Sequence, residues 1–330
     1  MFSGCLNSAT PKRQPETPPQ APKKGHPMPP TRLNLAILAA ASLANLLALH
    51  TATHAAWYFA LPAALLFSLS NNTIFALLHE CVHGIFARNP TLNRWAGRYA
   101  AAWFPTGYAL QKTFHLVHHR NNRSPSEQFD IIHPQDIRWL KYAQWYAIYT
   151  GMYWATAVLG AVVFSLTPRI VGNALRQAFG KQGGEQTGAA NYIGALNALP
   201  LAAKAEIWGA IAFQAALFAL LDLTWQSWLL CYAVFGWQWS NLQYTDHAFS
   251  PLDSQNGAWN LIVPKPVRLF FLNYHYHLAH HQHPQVPWTQ LPRYAHRGAR
   301  FWTVWRHCIT GPKPQNKLPH IPTYPLNPPR

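Results

Sequence analysis

A chain of 330 residues with 26 Lys and Arg against 10 Asp and Glu carries a net charge of +16, yet only 11% of its residues are charged and 14% are aromatic. Charge this sparse excludes an ordinary soluble domain, where about a quarter of residues ionise. Its placement excludes a nucleic-acid binder: no Lys or Arg falls between Leu33 and Ala87 or between Ala205 and Pro264, whereas a nucleic-acid surface spreads its cations along one face.

Residues 1–30 are rich in Pro, Lys and polar residues and predict a disordered cytoplasmic tail. The apolar runs 33–50 and 56–78, linked by a short polar stretch and carrying Trp57 and Tyr58 at the turn, predict a membrane hairpin with an aromatic belt. Residues 84–141 hold Arg88, Arg94, Arg98, Lys112, Arg120 and Arg123 and predict a cytoplasmic cap, with Trp95, Trp103 and Phe104 at the lipid surface. Residues 142–166 are long and apolar enough to span, but basic residues flank both ends (Arg138 and Lys141; Arg169 and Arg176). A single crossing there would put later segments on the far side, so the run reads as an interfacial or re-entrant element broken near Gly151 or Gly160, with two short spans as the alternative. A polar loop around 180–184 follows. Residues 207–221 and 225–242, turned by Asp222-Leu-Thr, predict a second hairpin, and 248–311 a second cap segment. The domains are then a tail at 1–30, a membrane unit at 31–311 and a Pro-rich C-terminal tail at 312–330. The four cysteines stand far apart with no C-x-x-C, so neither a disulfide framework nor a zinc knuckle is expected.

The 18 histidines are not scattered. His79 and His83 stand at i and i+4; His115-Leu-Val-His118-His119 and His277-Leu-Ala-His280-His281 share the pattern H-x-x-H-H. On a helix such spacing gathers imidazoles on one face. Under the two-hairpin topology all three boxes, and His247, lie on the cytoplasmic side. Three or four ligands suffice for one metal, so eight histidines in three boxes point to two. Imidazole suits Zn, Cu, Fe and Ni, and the spacing does not choose among them. Glu80, Glu127, Asp130, Asp136, Asp246 and Asp253 lie near the boxes; carboxylates so placed can accept the other ring N–H and fix each tautomer.

His79-Glu-Cys-Val-His83-Gly84 and the two H-x-x-H-H boxes resemble those of the membrane fatty acid desaturase superfamily, over residues 33–295. The stretch His283-Pro-Gln-Val-Pro-Trp-Thr-Gln-Leu-Pro292 also resembles carotenoid ketolases and hydroxylases of that superfamily. The resemblance implies an all-α integral membrane fold of two transmembrane hairpins, interfacial helices and a cytoplasmic helical cap. It implies a non-haem di-iron site that uses O2 to remove hydrogen from an unactivated methylene. By carry-over, His79, His83, His115, His118, His119, His277, His280 and His281 are metal ligands. Gln243-Tyr-Thr-Asp-His247 stands where one branch has N-x-x-x-H, which makes His247 a ninth ligand and leaves the role of Gln243 open; His275 and His283 read as neighbours of the ligands. The implied partners are a lipid or fatty acyl substrate from the bilayer and a separate electron donor of ferredoxin or cytochrome b5 type. Hydroxylase or ketolase chemistry is the alternative within the superfamily. Two readings from other classes remain: a membrane zinc metalloprotease, because His79-Glu80-x-x-His83 matches H-E-x-x-H, and a metal store or transporter.

Overall fold

The computed structural model describes residues 27–326 except 180, 183, 184 and 187. The tail expected at 1–30 lies, but for its last few residues, outside them. Helix α1 (Thr31–His54) and helix α2 (Ala60–Val82) form the first hairpin. Trp57, 86% exposed at the turn, presents its ring to the surroundings as an interfacial anchor does. Helix α3 (Pro90–Trp103) starts where the Asn89 side chain accepts from the backbone N–H groups of Thr91 and Leu92, with Pro90 in the first turn. Helix α4 (Tyr108–Asn121) follows, then α5 (Arg138–Ala147), a π turn over Ile148–Met152, and α6 (Tyr153–Leu166). Helices α7 (Arg169–Phe179) and α8 (Gly188–Asn197) lead to α9 (Leu201–Leu221) and α10 (Trp225–Thr245). Asp222 closes α9 in the left-handed conformation, and Thr224 caps α10. Three shorter helices, α11 (Lys265–Phe270), α12 (His277–Gln282) and α13 (Phe301–Ile309), complete the set.

The two hairpin turns meet at one end of the molecule. His54 Nε2 bonds the Leu221 carbonyl at 2.8 Å, and Ser227 Oγ donates to the Ala52 carbonyl at 2.9 Å. The histidine boxes therefore emerge together at the opposite end. Helix α2 is the hub: 67% of its apolar window is buried, against 39% for α1 and 22% for α9. It packs between α1 and α10, with Asn45 donating to Asn71 at 2.9 Å and Ser68 bonded to Gln238. Helix α9 leans toward α3 and α4, where Glu206 accepts from Arg98 Nε at 2.8 Å and from the Ala109 N–H at 2.7 Å.

Among the described residues, four helices are long and apolar enough to cross a membrane: Thr31–His54, Trp57–Val82, Arg138–Leu166 and Leu201–Leu221. The molecule is an all-α integral membrane protein. Helix α10 is not among the four, because it carries Gln238, Ser240, Asn241 and Gln243. Protein partners meet most of those groups: Asn241 donates to the Tyr149 carbonyl and accepts from Trp305 Nε1, Ser240 Oγ accepts from the Trp154 N–H, and Gln238 accepts from Ser68, while the buried Gln243 amide nitrogen has no hydrogen-bond partner among the described residues. The 138–166 segment breaks at Gly151, whose φ of 94° only glycine adopts without strain, and continues unbroken through Gly160. Both of its ends lie on the box side. Trp145 Nε1 donates to the Cys308 carbonyl near the start; Trp154 stacks on Tyr232 partway down α10; Lys204, at the start of α9, donates to the Thr167 carbonyl at the finish. The chain turns back within the segment, as both the re-entrant reading and that of two short spans require.

Trp95 is exposed as expected, but Trp103 and Phe104 are buried. Their rings meet Phe213, Phe235 and Trp239 edge-on, because the end of α3 turns inward between α2 and α9 rather than along the lipid. The C-terminal stretch folds back onto the box end. Lys313–Pro314 pairs with Ile131–Ile132, and Thr323–Pro325 pairs with Arg297–Arg300, which also pairs with Leu261–Ile262.

Candidate metal centre

The first box sits where α2 stops. Gly84, at φ 75°, reverses the chain, with its N–H donating to the Cys81 carbonyl and that of Ile85 to the Glu80 carbonyl. This glycine-ended cap lets His83 follow His79 on the same side of the helix end. The second box lies on the last turns of α4, the third on α12, and His247 just beyond α10.

These elements bring nine imidazoles into two adjoining groups. One holds His79, His83, His115, His119 and His280; the other holds His118, His247, His277 and His281; within each, the ring nitrogens lie within 4.8 Å of one another. Every expected ligand is in one group or the other. The partition follows helix geometry. His79 and His83, His115 and His119, and His277 and His281 are i, i+4 pairs and share a group, while His118 and His280 turn to the opposite one. Successive helical residues point about 100° apart, so the i+3 side chain diverges from its i+4 neighbour by that angle.

The spacing of the nitrogens is that of ligands on a shared ion. In the first group Nε2 of His83 lies 2.7 Å from Nε2 of His115, which lies 2.9 Å from that of His119, itself 3.0 Å from that of His280. In the second, the His118–His247, His247–His277 and His277–His281 separations are 3.1, 2.9 and 3.3 Å. Two nitrogens bonded at right angles to one ion at about 2.1 Å stand about 3.0 Å apart. Protons cannot satisfy such a ring of approaches: each Nε2 carries at most one, and His115 Nε2 faces two neighbours. Extra positive charge on the rings is also disfavoured. Burial, then the positive charge of Lys112, pushes His83 down to about 3; burial, then neighbouring rings, holds His115, His119, His247, His277, His280 and His281 well below the ordinary imidazole value. Neutral rings present lone pairs, and a cation answers all of them together. Buried His79 Nε2, which has no hydrogen-bond partner among the described residues, fits the same donor set.

A match to the fatty acid desaturase family model covers residues 55–304. The chain belongs to the fatty acid desaturase family. Comparison with curated proteins returns no match. As a family member the chain is an oxidoreductase of desaturase or oxygenase type, with a metal-binding histidine cluster and a lipid substrate. Membership also sets the H-E-x-x-H protease reading aside, since both histidines of that motif stand in a five-histidine group.

Of the six acids near the boxes of this desaturase-family protein, only Glu127 meets a ring nitrogen, accepting from His118 Nδ1–H at 2.7 Å. Four of the others hold framework: Glu80 accepts the Trp288 N–H, Asp130 pairs with Arg123, Asp136 accepts the His133 N–H, and Asp253 caps its own turn; the buried Asp246 carboxylate has no hydrogen-bond partner among the described residues. His247 Nδ1–H instead donates to the Gly257 carbonyl at 2.8 Å. His275 is buried and His283 rests on Tyr294; neither joins a group. Gln243 accepts from the Tyr274 hydroxyl at 2.9 Å. Tyr274 itself was not legible as a site residue. Its ring lies 4.9 Å from that of His79 and 5.0 Å from that of His277, so it stands between the two groups. It also lines a narrow cleft with His79, Glu80, Leu272, His280 and Trp288. Its place three residues before the third box was the available signal.

Proposed function

We propose that the chain is an O2-dependent fatty acyl desaturase holding two iron ions, one on His79, His83, His115, His119 and His280, the other on His118, His247, His277 and His281. The observation that supports this reading is the convergence of nine imidazoles into two ion-sized groups at the end of apolar helices. Bound iron would supply the O2 activation that removing hydrogen from an unactivated methylene demands. The remaining tasks fall to the chain. The burial of its rings keeps them unprotonated and able to bind. Leu272, Tyr274 and Trp288 give the narrow cleft beside His79 and His280 apolar and aromatic walls that keep bulk water away. The cation-free hairpins and basic caps favour an orientation with both termini and the boxes in the cytoplasm. There the basic surface suits an acidic electron donor of ferredoxin or cytochrome b5 type. Residues 31–311 form the working unit, onto which the stretch around 313–325 pairs.

The test pairs metal analysis of the purified chain with mass analysis of host lipids, with and without expression. About two iron atoms per chain and an acyl product short of two hydrogens are expected, and both depend on His280. A chain carrying one zinc and no iron, or lipids that gain an oxygen atom without forming a double bond, overturns the proposal; the oxygen gain would identify hydroxylation.

A further inference from the structure

Helix α8, outside the boxes and outside the hairpins, reaches the metal centre through the Tyr192 side chain. The Tyr192 hydroxyl donates to Glu127 Oε1 at 2.8 Å, and His118 Nδ1–H donates to Glu127 Oε2 at 2.7 Å. Both carboxylate oxygens are thereby engaged. The Glu127 side chain is 7% exposed, so solvent screens its charge little. Tyr192 is held by packing against Phe114, with ring centroids 5.2 Å apart, and Phe114 lies one helical turn before His118 on α4. The result is a Tyr–Glu–His relay lying against α4.

Nothing comparable backs the other eight rings among the described residues. His247 has a neutral carbonyl, His281 Nδ1 lies 3.4 Å from the Asn122 amide, and the buried Nδ1 atoms of His277 and His280 have no hydrogen-bond partner. The five-histidine group has no carboxylate on any ring, and the four-histidine group has one.

We propose that Glu127 and Tyr192 are positioning residues that make the two metal sites unequal: they fix His118 with its Nε2 lone pair toward the four-histidine ion and lend that ion, which has one imidazole fewer, the influence of a negative charge. The inference rests on the ligand assignment proposed above. A carboxylate that accepts the far N–H of a ligating histidine fixes its tautomer and raises its donor strength, and losing such a partner costs about 10–100-fold in metal affinity.

The test is a chelator titration of the full-length, iron-loaded chain, with Mössbauer spectra of the same samples. Wild type should release its ions in two steps. Glu127→Gln keeps the size of the side chain and an acceptor for His118 but removes the charge. It should weaken one step by about 10–100-fold, leave the other in place, and alter the spectrum of one iron only. Tyr192→Phe leaves the charge but frees the carboxylate, and should weaken the same step by a smaller factor. The unfolding midpoint of the metal-free chain should change little in either variant. Two unshifted steps in both variants, or two steps that move together, would overturn the proposal. If Glu127→Gln does not fold, Tyr192→Phe decides by the same criterion. A wild-type chain that takes up fewer than two ions refutes the two-ion reading itself, and this inference with it.

Discussion

Asp130 organises the loop that delivers His247. Its carboxylate accepts from Arg123 Nη1 at 2.7 Å and Nη2 at 2.8 Å, and from the Phe249 N–H at 2.7 Å, with the two side chains 0% and 2% exposed. Asp130→Ala would leave a buried guanidinium without its counter-charge, which costs about 3–5 kcal/mol. The stranded Phe249 amide adds about 1–3 kcal/mol. Because the two losses share one site they do not add fully; the expected destabilisation is roughly 4–6 kcal/mol, a large part of a typical stability of about 5–15 kcal/mol. Denaturant unfolding in detergent, followed by tryptophan fluorescence, measures it. The comparison that isolates the charge is Arg123→Met with Asp130→Leu. It removes both ions and keeps the volume, so it should be at least about 2 kcal/mol more stable than Asp130→Ala. Since His247 lies two residues before Phe249, Asp130→Ala should also lower the metal content. An Asp130→Ala chain within about 1 kcal/mol of wild type, or a double variant no better than the single one, would refute the reasoning.

Other outcomes follow from the same geometry. His280→Ala and His281→Ala, adjacent in sequence, should each lose about one ion per chain but from different groups, so each variant should lack a different component of the wild-type Mössbauer spectrum, and both should stop product formation. Gly151→Ala should destabilise by about 1–3 kcal/mol in the same unfolding assay, because φ is 94° and the new Cβ would stand 3.0 Å from the Trp237 nitrogen. For pH, burial and then the Arg268 charge push His275 down from 6.5 to about 3. The unfolded chain therefore binds more protons than the folded one between those values. The stability contributed by a neutral His275 is complete above about 6.5 and is lost as pH falls toward about 3, at about 1.4 kcal/mol per unit for one group. His275→Phe should make the acid limb of the metal-free stability profile shallower by that slope.

The histidines that gather into the two groups and the membrane class were legible in the sequence because each rests on local rules. An H-x-x-H-H run places its rings on neighbouring faces of a helix wherever that helix packs, and a stretch without cations prefers lipid wherever it lies. The basic residues at both ends of 138–166 implied that those ends lie on one side. What the sequence could not assign is which rings act together. His118 and His119 are neighbours in the chain, as are His280 and His281, yet each pair divides between the two groups, because adjacent helical side chains diverge and only the packing of α2, α4 and α12 fixes where each one lands. Trp103 and Phe104 read as lipid-facing until the turn at the end of α3 directed them inward. The acids near the boxes looked interchangeable, and only tertiary contacts separated Glu127, bound to His118, from Asp130, bound to Arg123. Spacing along a chain sets the direction of a side chain relative to its own helix axis. Its partners depend on the relative placement of separate helices, and that placement is decided by long-range packing that no local pattern encodes.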